Sequence, residues 1–240
     1  AERREAIVVD PAIPSLAEIC ARLAAQNWRL VLALSTHGHW DHTGELAALA
    51  EHVRTSEGRE LPIGVHPLDR RRLVDPQPMA APFPIPPVIP TRDLCEGDRI
   101  RAGSIDLEVL HTPGHTEGSI SLVDAHAGIL YSGDTLFRGG WGRTDLPGGD
   151  ERAMLASLQR LSALAPELRV IPGHSVASHA ISLVFITATA LGSALTSAAT
   201  RIAPPVAFLL LDKSPENNDK IHSYRMSRKS SLFRSFFLAH

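Results

Sequence analysis

The stretch Thr36-His37-Gly38-His39-Trp40-Asp41-His42 packs three imidazoles and a carboxylate into six residues, directly behind the apolar run Leu30–Leu34. Imidazole and carboxylate are the usual protein ligands of borderline divalent cations. On an extended backbone alternate side chains share a side, so His37 and His39 can hold one ion while Asp41 and His42 reach toward a second. Four residues do not close two coordination shells, so further ligands must come from later in the chain. Three candidates stand at turns or strand ends: His115 in His111-Thr112-Pro113-Gly114-His115-Thr116, Asp134 after Tyr131-Ser132-Gly133, and His174 after Pro172-Gly173. Nitrogen-rich donors with carboxylates suit zinc, with iron and manganese as competitors.

The elements that must carry these residues follow from periodicity and punctuation. Ala6-Ile7-Val8-Val9 is a short buried strand stopped by Asp10-Pro11. Ser15-Leu16-Ala17-Glu18 has the form of a capping box, and Leu16, Ile19, Cys20 and Leu23 continue at helical spacing to about Asn27. Leu30–Leu34 is a second strand, Glu45–Val53 a second helix and Ile63–Val65 a third strand. That alternation signals α/β. Seven prolines between residues 75 and 90 exclude helix and central strand, leaving an extended surface loop that either connects or roofs a substrate groove. Beyond it lie shorter strands at Ile105–Leu110, Ser119–Val123 and Ile129–Ser132, a helix capped by Asp150, and a last strand at Leu168–Ile171.

The chain has 240 residues, with 24 Lys and Arg against 26 Asp and Glu. This balance argues against a nucleic-acid surface, which needs a basic excess. Two cysteines cannot staple a secreted scaffold. The charged start Ala1-Glu2-Arg3-Arg4-Glu5 is not a signal peptide, so a cytoplasmic protein with a small-molecule substrate is expected. Residues 175–240 differ in character: 175–200 lack any charged side chain and read as an Ala/Ser/Thr-rich helix rather than a membrane span, and a basic tail follows. The division is thus 1–174, catalytic, and 175–240, atypical. The sequence leaves the oligomeric state open.

His37-x-His39-x-Asp41-His42 followed by His115, Asp134 and His174 resembles the metallo-β-lactamase superfamily, in the order that family uses, over about residues 6–174. Trp40 within the motif, Ser132-Gly133-Asp134-Thr135-Leu136-Phe137 and Gly142-Arg143-Thr144-Asp145 are similar to its glyoxalase II-like branch. The resemblance implies a four-layer αββα sandwich with metals at one edge, here without the opening hairpin. It implies that His37, His39 and His115 hold one zinc ion, that Asp41, His42 and His174 hold a second, and that Asp134 bridges them. Asp10 matches the carboxylate that buttresses the metal loop. True β-lactamases place Cys or Ser where Asp134 stands, which directs the reading elsewhere.

The implied reaction is hydrolysis of a thioester of the S-2-hydroxyacylglutathione kind by a hydroxide shared between two zinc ions, with Asp41 accepting a proton. Arg143 is the candidate for holding a substrate carboxylate, because a guanidinium binds one bidentately. A mononuclear iron dioxygenase acting on glutathione persulfide is the alternative, using His37, His115 and Asp134; lactonases and other hydrolases of the fold are a third class. His111 reads as structural, and His66 shows no partner pattern.

Overall fold

The computed structural model describes residues 4–76, 81, 83–165 and 167–174, together with the backbone of strands at 184–187 and 224–225. Two sheets stack face to face. The first contains β1 (Glu5–Val9), β2 (Arg29–Leu34), β3 (Ile63–Val65) and β4 (Arg92–Asp93) in parallel, with β10 (Val184–Thr187) antiparallel along the β1 edge. The second runs β11 (Tyr224–Arg225), β9 (Arg169–Pro172), β8 (Ile129–Gly133), β7 (Ile120–Asp124), β6 (Ile105–His111), β5 (Arg99–Ala102). Its pairs are antiparallel apart from β8 with β9.

Strand alternation assigns each side chain to a layer, apart from a register shift at Val31 of β2 that puts Leu30 and Leu32 in opposite layers. Ile7, Val9, Leu32 and Leu34 face inward and pack against Leu107, Val109, Ile120, Leu122, Tyr131 and Ile171 of the second sheet. Val8, Leu30 and Ala33 face outward beneath α1 (Leu16–Ala25) and α3 (Leu46–Glu57), where Ile19, Leu46, Leu49 and Val53 are buried. On the far side Leu110, Leu130 and Val170 meet Leu161 of α5 (Glu151–Ser162). The layers are therefore α, β, β, α, as the sequence led us to expect. Asp150 caps α5 by accepting from the Ala153 N–H at 2.9 Å.

Two expectations change, and one strand is added to those expected. Ser15 stands at the start of α1, but its hydroxyl makes no cap bond and Glu18 turns to Arg22 at 3.1 Å, so the capping box does not form. Strand β5 is additional to the expected strands, alternating exposed Arg99 and Arg101 with buried Ile100 and Ala102. Of the helix expected over 175–200, Val184–Thr187 is instead a strand paired with β1, and the remainder lies outside the described residues. Between residues 75 and 90 the described positions form neither helix nor strand. Phe83 rests edge-on against Trp40, ring centroids 5.7 Å apart, which sets this loop beside the histidine motif. Among the described residues no helix is long and apolar enough to cross a membrane.

Candidate metal centre

All seven expected ligands converge where the strands end. His37 and His39 follow β2, and Asp41 and His42 lie on the short helix α2 (Trp40–Thr43). His115 occupies the turn between β6 and β7, Asp134 follows β8, and His174 follows β9. Three groups of side chains have ligand atoms within 4.8 Å of one another: His37, His39, His115; His37, His42, Asp134; and Asp41, His42, His174. Asp134 lies between the outer two, its Oδ2 3.5 Å from His115 Nε2 and 3.3 Å from His174 Nε2.

The donor atoms face one another in a way that hydrogen bonding alone does not satisfy. His39 Nδ1 is 2.9 Å from His115 Nε2, and His42 Nε2 is 3.1 Å from His174 Nε2. His37 Nε2 is buried with no hydrogen-bond partner among the described residues. A buried polar atom left in this state costs free energy, and a cation in each group would satisfy its nitrogens. The donor set fits a metal.

Electrostatics favour the neutral form at two of the histidines and the charged form at a third. Burial, with His42 and His115 nearby, pushes His37 well below its ordinary value, and burial with His115 brings His39 down to about 3. Both are therefore neutral, as ligands must be. At His42 burial opposes charge, yet Asp134, Asp10 and Asp41 raise it to about 10. Asp134 is held well below the usual carboxylate range: burial opposes this, and His42, His174 and His115 outweigh it.

Neighbouring groups fix the ligand rings. Asp10 is buried, with a left-handed backbone at φ 52°. It accepts from the Thr36 N–H at 2.7 Å and the Thr36 hydroxyl at 2.8 Å, and its Oδ2 lies 3.0 Å from His42 Nδ1. His115 Nδ1 donates to the Arg143 carbonyl at 2.7 Å, leaving Nε2 for a metal. Arg143 thus touches the site through its backbone. Its guanidinium, expected to meet a substrate carboxylate, is bound in a fork to Asp145 at 2.7 and 2.6 Å. Gly173 has no alternative, because a Cβ there would collide with Asp134 Oδ1 and His42.

Sequence reasoning missed two features. His66 does have a partner: it stacks on His111 with ring centroids 4.2 Å apart and an interplanar angle of 8°. Asp69, which is fully buried, accepts hydrogen bonds from segments on both sides of the site. Neither residue belongs to a recognisable pattern; a lone Asp after Pro67-Leu68 carries no local signal.

The family model for the metallo-beta-lactamase superfamily matches residues 2–174. The chain belongs to that superfamily. A hydroxyacylglutathione hydrolase of Cereibacter sphaeroides is 38% identical over 170 residues, covering 71% of this chain and 57% of its own length. The chain thus spans little more than half of that relative. Among solved structures, TTHA1623 in a di-iron-bound form is 37% identical with a TM-score of 0.58, covering 70% of this chain and 80% of its own. BLEG-1, a B3 metallo-beta-lactamase, is 31% identical with a TM-score of 0.63, covering 71% and 81%. This superfamily member is a metallo-hydrolase, its His and Asp cluster suited to divalent metal.

Proposed function

We propose that the protein hydrolyses thioesters of the S-2-hydroxyacylglutathione kind, using two zinc ions. The observation that carries the reading is Asp134, a buried carboxylate between the His37, His39, His115 group and the Asp41, His42, His174 group. One carboxylate within reach of both groups suits a paired centre, and the Cereibacter sphaeroides hydrolase supplies the substrate class. When bound, such a pair polarises a carbonyl and lowers the pKa of water toward about 7.

The chain's own residues divide the remaining work. Asp134 supplies negative charge between the two groups. Asp10 orients His42, and the Arg143 carbonyl orients His115. Asp41 is the more open carboxylate, its side chain 29% exposed against 8% for Asp134, and that exposure supports assigning it to take a proton from attacking water. The leaving thiolate, with a thiol pKa of about 8.5, departs without a strong general acid.

The test is thiol release from S-lactoylglutathione by the full chain loaded with zinc, alongside a simple lactone and a β-lactam. Turnover of the thioester at least tenfold faster than either is the expected result; a preference for the lactone or β-lactam overturns the substrate assignment. The di-iron form of TTHA1623 favours a second reading of the metal, with iron in place of zinc. Activity of protein loaded separately with zinc and iron decides between them.

A further inference from the structure

Asp69 precedes the short helix α4 (Arg70–Val74) and is fully buried. Its Oδ2 accepts from the Gly38 N–H at 2.6 Å and from the Thr116 hydroxyl at 2.7 Å. Its Oδ1 accepts from the Gly118 N–H at 3.1 Å and from the Arg72 guanidinium at 2.7 Å. Gly38 separates His37 from His39, and Thr116 and Gly118 directly follow His115. One carboxylate therefore ties together the two loops that carry the three-histidine group.

The glycines show how closely the parts fit. A Cβ on Gly118 would stand 2.7 Å from Asp69 Cγ, and one on Gly38 would stand 2.7 Å from Arg72 Cβ and 3.1 Å from the Asp69 carbonyl oxygen. Gly118 approaches Asp69, and Gly38 approaches Arg72, at distances that only glycine permits. Arg72 compensates the buried charge, and it also reaches Glu117 at 2.6 Å and the Pro147 carbonyl at 2.9 Å. Asp10, by contrast, contacts Thr36 and His42. Asp10 touches His42 directly and reaches His37 only through the Thr36 hydroxyl, 3.2 Å from His37 Nδ1, so the two buried carboxylates serve chiefly different ligands.

We infer that Asp69 is a positioning residue that presets the His37, His39, His115 group for its ion, while the Asp41, His42, His174 group depends on Asp10 instead. The inference rests on the two-metal reading and adds a division of labour to it. An Asn at 69 keeps the shape but offers one acceptor oxygen in place of two, so an amide NH2 must face either Gly38 and Thr116 or Gly118 and Arg72. All four are donors, and one pair loses its acceptor.

The experiment titrates the metal-free full chain with Co2+ against a competing chelator, resolving two equivalents. Exchangeable imidazole N–H signals shifted by Co2+ tell which histidines bind each. For Asp69→Asn the ion held by the three histidines should weaken by about tenfold or more, with the other held within about threefold. Thr116→Val keeps the side-chain shape, removes one donor, and should show the same partition at smaller size. Equal weakening of both ions overturns the inference. So does unchanged binding in both variants with only an earlier melt of the metal-free protein, which would make Asp69 an ordinary structural group. The wild-type titration separates the layers: no uptake by the three histidines refutes the metal reading and this inference with it, whereas uptake without the partition refutes the inference alone.

Discussion

Asp10→Asn alters a single functional atom at a contact that decides which nitrogen of His42 is free. Asp10 Oδ1 takes the Thr36 N–H at 2.7 Å, and an amide oxygen in that position keeps this bond. The amide NH2 then occupies the place of Oδ2, 3.0 Å from His42 Nδ1. It donates, so Nδ1 must accept, and the ring proton moves to Nε2, the nitrogen that faces His174 at 3.1 Å. That tautomer cannot ligate through Nε2. Asn also tolerates the left-handed backbone that Asp10 adopts at φ 52°, so the main chain gains little strain. Loss of such an orienting partner typically weakens metal binding by about 10–100-fold, about 1.4–2.8 kcal/mol. The larger part of that cost should fall on the ion bound by His42, because Oδ2 touches His42 directly and reaches His37 only through the Thr36 hydroxyl, 3.2 Å from His37 Nδ1. The assay is a chelator-competition titration of metal-free protein, with a thermal melt of the same sample as a control for folding. Two equivalents bound at wild-type affinity by a folded variant would refute the tautomer argument.

Other outcomes follow from the same geometry. His174→Ala removes the partner of His42 and a neighbour of Asp41 Oδ2 at 3.5 Å, and should cut thioester hydrolysis by well over tenfold while metal content drops toward one ion per chain; activity that survives, consumes oxygen and tracks iron would favour the dioxygenase. Arg143→Ala should change KM by less than about threefold, because the guanidinium is bound to Asp145 and the carbonyl that holds His115 remains; a KM rise beyond tenfold in steady-state assays would restore the carboxylate-binding role. The metal-free protein should be most stable near pH 6.5 by thermal melt. Below that value the unfolded chain gains protons that His37 and His39 refuse, His39 down to about 3. Above it the folded chain still holds the His42 proton that the unfolded chain has lost, until about pH 10. A stability that rises steadily from pH 6.5 to 9 would contradict this.

The convergence of the seven candidate ligands was legible because chemistry and punctuation coincide in them. His37 to His42 form a dense local pattern, and His115, Asp134 and His174 each end an apolar strand, the place where a sheet presents side chains at its edge. The layers were legible for a similar reason: Ile7, Val8 and Val9, or Leu32, Ala33 and Leu34, are apolar on both faces, as strands covered on both sides must be. Asp69 was not legible, since apart from neighbouring Arg72 its partners are two backbone amides and a threonine hydroxyl 31 to 49 residues away, and no side-chain pattern marks them. Ser15 and Glu18 show the converse failure. Their local signature was present, but Glu18 has a partner in Arg22 one turn along, and the signature went unused. Arg143 was read by residue type, which says nothing of the exposed ion pair that its guanidinium makes with Asp145 two positions on.

Because the ligands come from both sheets, with His42 and His174 separated by 132 residues, the centre cannot exist in any partly folded chain that has not yet brought β2 and β9 together. Closing so long a loop is slow relative to forming the local hairpins of the second sheet, so full coordination comes late on the folding path. A tightly held ion then adds its binding free energy only to the completed structure. Metal uptake thus acts as a lock on the finished fold, slowing its opening rather than hastening its formation.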